Sequence, residues 1–408
     1  MNRENAINIL SDLIKIKTVN GNELEVANYL RDLLLKNGIQ SELVKFAENR
    51  ANLIAEIENG PGKTLVLSGH MDVVSPGDES QWTFPPFDAH IEDDVIWGRG
   101  ASDMKSGLAA LTIAFIETAK EKNFSGKIKL IATVGEEIGE LGAEQLTDLG
   151  YVEDVDAILI AEPCNLGVVY AHKGSLNYKV SSKGVAAHSS TPEIGKNAVE
   201  HLNRAMSEIS KHFEKRAEDF SNEMLGKMTH SITVVKGGTQ VNSIPDFAEF
   251  EANVRTIPEL KNQQIIEEIQ EILARLNKEK DFELNMEVTA NQSPVQSDPK
   301  SKLVKTIIDV VKEMPDLLPM NLMKSMGEVL GKDLRETLDV SFSEIKPMAV
   351  AGTTDAAQFM KDRSDIELAV YGPGMPMLNH KIDERLPLKQ YIDFIEAYIR
   401  IIDNYMNV

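Results

Sequence analysis

The chain has 408 residues, 42% of them apolar and 26% charged, with a formal net charge of −21. That length exceeds the roughly 250–300 residues at which a single core stops growing, so two domains are expected. The charge repels polyanions, which excludes nucleic acid and anionic membranes as electrostatic partners, and the lone Cys164 allows no intrachain disulfide.

No run reaches the roughly 20 apolar residues of a membrane span, and no basic start leads into an apolar stretch, so a cytoplasmic protein is expected. Amphipathic patterns at 3–17 and 23–36 predict helices, followed by strand-like SELVKF, NLIAEI and TLVLSG. A helix is predicted from Ser106, with Leu108, Leu111, Phe115 and Ala119 on one face. KIKLIATV and AILIA add strands. The alternation predicts an α/β unit whose largely parallel sheet lies between helices.

The order changes at Gly174. Strand LNYKVSS, helix 197–216, strands SITVVKG and AEFEANVR, helix 262–280 and strand FELNMEVT form a β-α-β-β-α-β series, the ferredoxin-like signature. The first layout then resumes with a helix at 301–313, strand IELAVY and a helix at 388–404. The expected division is therefore a discontinuous domain of 1–173 and 291–408 interrupted by an insert at 174–290. Residues 331–344 give no legible pattern.

Three phrases concentrate the chemistry: GHMDVV at 69–74, GRGASDMKSG at 98–107 and VGEE at 134–137. A buried strand ending at His70, with Asp72 two residues on, suits a metal-ligating imidazole backed by a carboxylate that holds its other N–H. Gly98, Gly100 and Gly107 leave the backbone free to present Asp103 in a tight loop. Glu136 and Glu137 follow an apolar strand, and paired carboxylates beside a metal can divide ligation from proton transfer. Each residue has a plainer reading. Asp103 could be a turn residue, and Glu136–Glu137 a solvated pair.

These phrases, with AEP at 161–163, GVAAHSSTP at 184–192, GGTQVNSIPD at 237–246, ANVRTIP at 252–258, AGTTDA at 351–356 and PGMPMLNHKIDE at 373–384, resemble the M20 metallopeptidase family. That group includes succinyl-diaminopimelate desuccinylase, acetylornithine deacetylase, carboxypeptidase G2 and aminoacylase-1, and the resemblance covers nearly the whole chain. It implies a zinc-peptidase-like catalytic domain with an inserted lid and dimerisation domain, hence a homodimer. It also implies two divalent ions, Zn²⁺ with Co²⁺ or Mn²⁺ as substitutes. His70 and Glu162 would hold one ion, Glu137 and His380 the other, with Asp103 bridging, a cis peptide after it, and Glu136 moving protons.

His188 would stabilise the oxyanion, and Asn242, Arg255, Lys173, Gly352, Thr353 and Thr354 would touch substrate. Glu162 could instead cap a helix, and His380 could pair with Asp383 or Glu384. His188 could merely pack its loop, Asn242 cap a turn, and Arg255 pair with Glu249 or Glu251. The activity implied is removal of a succinyl or acetyl group from an amino acid, nearest to N-succinyl-diaminopimelate desuccinylation in lysine biosynthesis. A dipeptidase or aminoacylase using the same machinery is the alternative, and a non-catalytic metal-binding protein the more distant one.

Overall fold

The computed structural model describes residues 1–331, 344–361 and 363–407. The chain forms two compact units: Met1–Tyr170 with Ser297–Met348 and Thr354–Val408, and Ala171–Gln296 with Ala349–Thr353. The divisions at 170/171 and 296/297 stand against the expected 173/174 and 290/291. Gly352 and Thr353 belong to the smaller unit. The Val168–His172 strand runs almost directly into Gly174–Lys183, so no Pro- or Gly-rich linker marks the crossing.

In the larger unit the sheet runs Ser41–Ala47, Arg50–Asn59, Gly126–Thr133, Thr64–His70, Ala157–Ile160, Glu367–Val370 and Val168–His172. Its four central members, from Gly126–Thr133 to Glu367–Val370, are mutually parallel, and the outer pairings are antiparallel. The first two strands are joined by Glu48 and Asn49, too short a connection for anything but a hairpin. Thr64–His70 is buried at every position, as expected of a central parallel strand covered on both faces.

Helix Lys105–Glu121 packs on that strand, on Arg3–Lys15 and on the closing helix Leu388–Met406. It is buried from Lys105 through Ile116 rather than along one stripe. Close approach explains Gly107, where a Cβ would lie 2.1 Å from the Ala161 carbonyl oxygen. The sheet's carboxyl edge therefore gathers His70, the Glu136–Glu137 turn and Glu162, the edge where open α/β sheets bind ligands.

The smaller unit carries an antiparallel sheet ordered Thr229–Gly237, Phe247–Thr256, Gly174–Lys183, Leu284–Gln292, with helices Ala198–Asp219 and Asn262–Leu276. This is the ferredoxin-like strand order. Phe247–Thr256 alternates buried and part-exposed positions, so one face of the sheet is covered. Asn197 caps its helix by accepting from the Val199 and Glu200 N–H groups at 3.1 and 3.4 Å. Two features escaped the sequence pattern: helix Pro319–Leu330, and a small sheet of His90–Glu92, Val95–Trp97 and Arg385–Pro387.

Candidate metal centre

Strand Thr64–His70 delivers an imidazole that is 1% exposed, and its Nε2 is buried without a hydrogen-bond partner. That nitrogen lies 3.4 Å from Asp103 Oδ1, 3.5 Å from Glu162 Oε1 and 3.9 Å from Glu136 Oε2. The exposed His380 presents its Nε2 at 3.4 Å from Asp103 Oδ2 and at 3.1 Å from both oxygens of Glu137. Asp103 thus turns one oxygen to each histidine. The peptide bond after it, Asp103–Met104, is cis.

Among the described residues, His70–Asp103–Glu137 and His70–Glu136–Glu162 each bring ligand atoms within 4.8 Å of one another. Tetrahedral ligand atoms bonded at 2.0–2.2 Å lie about 3.3–3.6 Å apart. The His70 contacts to Asp103 and Glu162, and the His380 contacts to Asp103 and Glu137, fall close to that spacing. Glu136 stands farther out. A divalent ion fits on each side of Asp103, and the orphaned, buried His70 Nε2 is the donor such an ion would satisfy.

Asp72 departs from its expected contact. His70 Nδ1 meets the main-chain carbonyl of Asp72 at 2.9 Å, while the nearer Asp72 carboxylate oxygen is 3.6 Å away. That carboxylate accepts instead from the main-chain N–H groups of Glu136 and Glu137, both at 3.1 Å. Gly135, with φ of 66°, starts this turn in the left-handed region. Asp72 therefore braces the acidic turn as well as the histidine.

The charges are one-sided. Burial disfavours a charged His70, yet the carboxylates of Glu162, Asp103, Asp72 and Glu136 outweigh it and hold the imidazole pKa well above its usual range. Hydrogen bonds to Asp103 and Glu137 lift His380 to about 10. Burial, reinforced by neighbouring carboxylates and opposed by His70, raises both Glu136 and Glu162 well above normal. Burial also acts on Asp103, but the two histidines overcome it and pull its pKa down.

Residues not anticipated from sequence surround it. Asp355, pushed up to about 6 by burial, accepts from Thr133 Oγ1 at 2.6 Å. Lys105, brought down to about 7 by burial, donates to the Leu13 and Ile16 carbonyls at 2.8 and 2.7 Å. Glu384 does not pair with His380; it accepts from Arg99 and from the loop carrying Asp103. An Arg between two glycines, and an acid four residues after His380, were the available signals. Cys164 is held as a thiol by burial, its pKa pushed up to about 12.

The other named residues lie in the smaller unit, apart from Thr354. His188 pairs in register with Ser243, and its Nδ1 meets Ser190 Oγ at 2.8 Å. Asn242 accepts from the Ser189 N–H through its main-chain oxygen at 3.0 Å. Arg255 forms no salt bridge among the described residues; Glu249 and Glu251 face Lys236 instead. Burial and the nearby Arg255 cation both lower the Lys173 pKa, and its Nζ donates to the Lys227 carbonyl at 2.5 Å. Of the remaining histidines, His90 and His201 stack on Phe84 and Phe282, His212 meets Glu268, His230 meets Tyr178, and His172 meets the Lys173 carbonyl.

This fold with a two-ion carboxylate–histidine centre defines a metallohydrolase. The profile of peptidase family M20/M25/M40 matches residues 66–404, and the chain belongs to that family of amide-bond hydrolases. It is 39% identical to a protein from Staphylococcus aureus strain MRSA252 named "Probable succinyl-diaminopimelate desuccinylase", over 96% of this chain and 95% of the relative. A Paracoccus denitrificans protein named succinyl-diaminopimelate desuccinylase is 27% identical over 96% of each chain. The solved structure of an M20 family metallo-carboxypeptidase from Sulfolobus solfataricus superposes with a TM-score of 0.74 at 20% identity, covering 99% of both chains.

Proposed function

We propose that the chain is a two-metal deacylase that removes the succinyl group from N-succinyl-diaminopimelate or a close N-acyl amino acid, a step of lysine biosynthesis. The observation that carries this reading is the division of Asp103 between two histidines, each with a further carboxylate at ligand spacing. The substrate follows the names of the full-length relatives.

His70 and Glu162 would hold one ion and Glu137 and His380 the other, with Asp103 available to both; the N/O donor set suits Zn²⁺, and Co²⁺ or Mn²⁺ as substitutes. When bound, two such ions supply Lewis acidity toward the amide carbonyl and an acidified water. Glu136 takes the proton of the attacking water and delivers it to the leaving amine nitrogen. Asp72 fixes Glu136 by holding its backbone N–H. The resemblance gives His188 the oxyanion, and gives Arg255, Lys173, Asn242, Gly352, Thr353 and Thr354 the substrate. Arg255 and Lys173, two neighbouring cations, favour a carboxylate-bearing substrate.

The exposed edge strand Thr229–Gly237, with Val234 and Val235 at its surface, supports a homodimer through the inserted unit. No helix among the described residues is long and apolar enough to cross a membrane, and a lone cysteine fits a reducing cytoplasm.

Steady-state kinetics of the zinc-loaded protein on N-succinyl-diaminopimelate, N-acetylornithine and simple dipeptides test the reading. The expected result is a kcat/KM for the succinyl substrate at least tenfold above the others. A preference for dipeptides would replace the proposed substrate with that of a dipeptidase, and no turnover of any would overturn the catalytic reading.

A further inference from the structure

The loop bearing Asp103 is fastened to the segment bearing His380 by one fully buried carboxylate. Glu384 Oε1 accepts from the N–H groups of Gly100, Ser102 and Asp103 at 3.1, 2.8 and 2.9 Å. Its Oε2 accepts from Arg99 Nη1 at 2.5 Å, and its main-chain oxygen accepts from the Gly98 N–H at 2.9 Å. A second tie runs through Ser102 Oγ, which donates to Asn379 Oδ1 at 3.1 Å and accepts from the Met375 N–H at 2.8 Å.

Arg99 is itself held by the Ser75 carbonyl at 3.2 Å and lies over the Trp82 ring. Three convergent N–H groups make a concave anion site, and here the chain fills it with its own side chain. Because Arg99 neutralises that side chain, the clamp adds no net charge beside a centre already crowded with carboxylates.

We propose that Glu384 is a positioning residue for the metal centre: it fixes Asp103 against His380, so that each Asp103 oxygen is held ready for its own ion. A ligand whose backbone is held in this way loses little freedom on binding metal, and residues that orient ligands typically contribute 10–100-fold to metal affinity. The inference rests on the two-ion reading and deepens it.

The test titrates metal-free protein with Zn²⁺ against a chromophoric chelator, alongside thermal unfolding of the metal-free state. In Glu384→Asp the carboxylate keeps its charge for Arg99 but withdraws by one methylene from the three N–H groups. Its Zn²⁺ affinity is expected to fall 10–100-fold. The paired change Arg99→Met with Glu384→Gln keeps an oxygen at that spot with no net charge, and is expected to stay within about threefold of wild type.

Wild-type affinity in Glu384→Asp would overturn the proposal. So would an equal loss in the paired variant, since charge rather than the placed oxygen would then be responsible. A lower Tm of the metal-free state with unchanged affinity would mark a purely structural clamp. Should Glu384→Asp fail to fold, Ser102→Ala cuts the second tie and is expected to weaken Zn²⁺ binding by roughly three- to tenfold; no change there would equally overturn it. A wild-type chain that takes up no divalent ion would defeat the two-ion reading itself, whereas wild type binding two ions with unaltered variants defeats only this inference.

Discussion

Exchanging Glu136 or Glu137 for Gln separates two adjacent carboxylates that differ by position rather than by type. Glu137 offers both oxygens to His380 Nε2 at 3.1 Å, inside ligand spacing, whereas the nearest Glu136 oxygen is 3.9 Å from His70 Nε2. On the proposed roles, Glu136→Gln removes a base and no ligand. Loss of general acid–base catalysis costs about 10²–10⁴ in kcat, equivalent to roughly 2.7–5.4 kcal/mol of barrier. Asp72 still accepts both main-chain N–H groups, so the turn stays in place, and the substitution also removes a buried carboxylate whose ionisation is disfavoured. Glu137→Gln takes away a charged donor and is expected to weaken one ion by more than the 10–100-fold typical of outer neighbours. The assay is elemental analysis after dialysis against limiting Zn²⁺, paired with kcat on the succinyl substrate. Expected are two ions and at least a hundredfold slower turnover for Glu136→Gln, and about one ion for Glu137→Gln. Equal metal loss in both, or a Glu136→Gln kcat within tenfold of wild type, would refute the assignment.

Exhaustive chelation is expected to abolish hydrolysis, with Zn²⁺ or Co²⁺ restoring it, and Asp103→Ala is expected to lose both ions and activity together; full activity in protein shown metal-free by elemental analysis would contradict this. His70 and His380 both hold protons above their ordinary pKa in the metal-free fold, a stabilisation fully present below about pH 6.5 and lost as pH rises through the folded values, about 10 for His380. Binding at pH 7 must then release protons, so calorimetry in buffers of different ionisation enthalpy is expected to show buffer-dependent heats, and the Tm gap between metal-loaded and metal-free protein is expected to widen from pH 6 to pH 8. If His188 serves the partner's site in an isologous dimer, Glu136→Gln and His188→Ala, each nearly inactive alone, are expected to regain roughly a quarter of wild-type activity when refolded together. Heterodimers verified by native mass spectrometry without that recovery would place His188 in its own subunit's site or outside the chemistry.

Much of the proposed centre was legible in the sequence because three of its parts follow apolar strands that lie parallel in one sheet. TLVLSGH, KIKLIATV and AILIA each end in or just before a ligand type, and parallel pairing brings those ends to one edge. His380 was different, since a Gly/Pro-rich loop carries no periodicity; only the family pattern pointed to it. Helix Pro319–Leu330 was given no element in the sequence pattern, although a proline at the first helical position needs no N–H partner. The crossing between the compact units falls at 170/171, a few residues from the expected 173/174, where one extended segment passes through it.

Glu384 and Asp72 show why side-chain partnerships resist such reading. An Asp-Glu pair in a polar loop looks solvated, and only the fold reveals that Asp383 binds Thr83 while Glu384 is 0% exposed among loop N–H groups. Asp72 was matched to the right neighbourhood but to the wrong atom, because a two-residue spacing fixes a shared strand face and not which oxygen the imidazole meets. Both residues accept main-chain N–H groups from the turns that bear the acids of the centre. A cluster of buried carboxylates repels itself until cations arrive, so its geometry must be set by contacts that do not depend on the metal. Backbone donors meet that need: Asp72 accepts from the Glu136–Glu137 turn and Glu384 from the Asp103 loop.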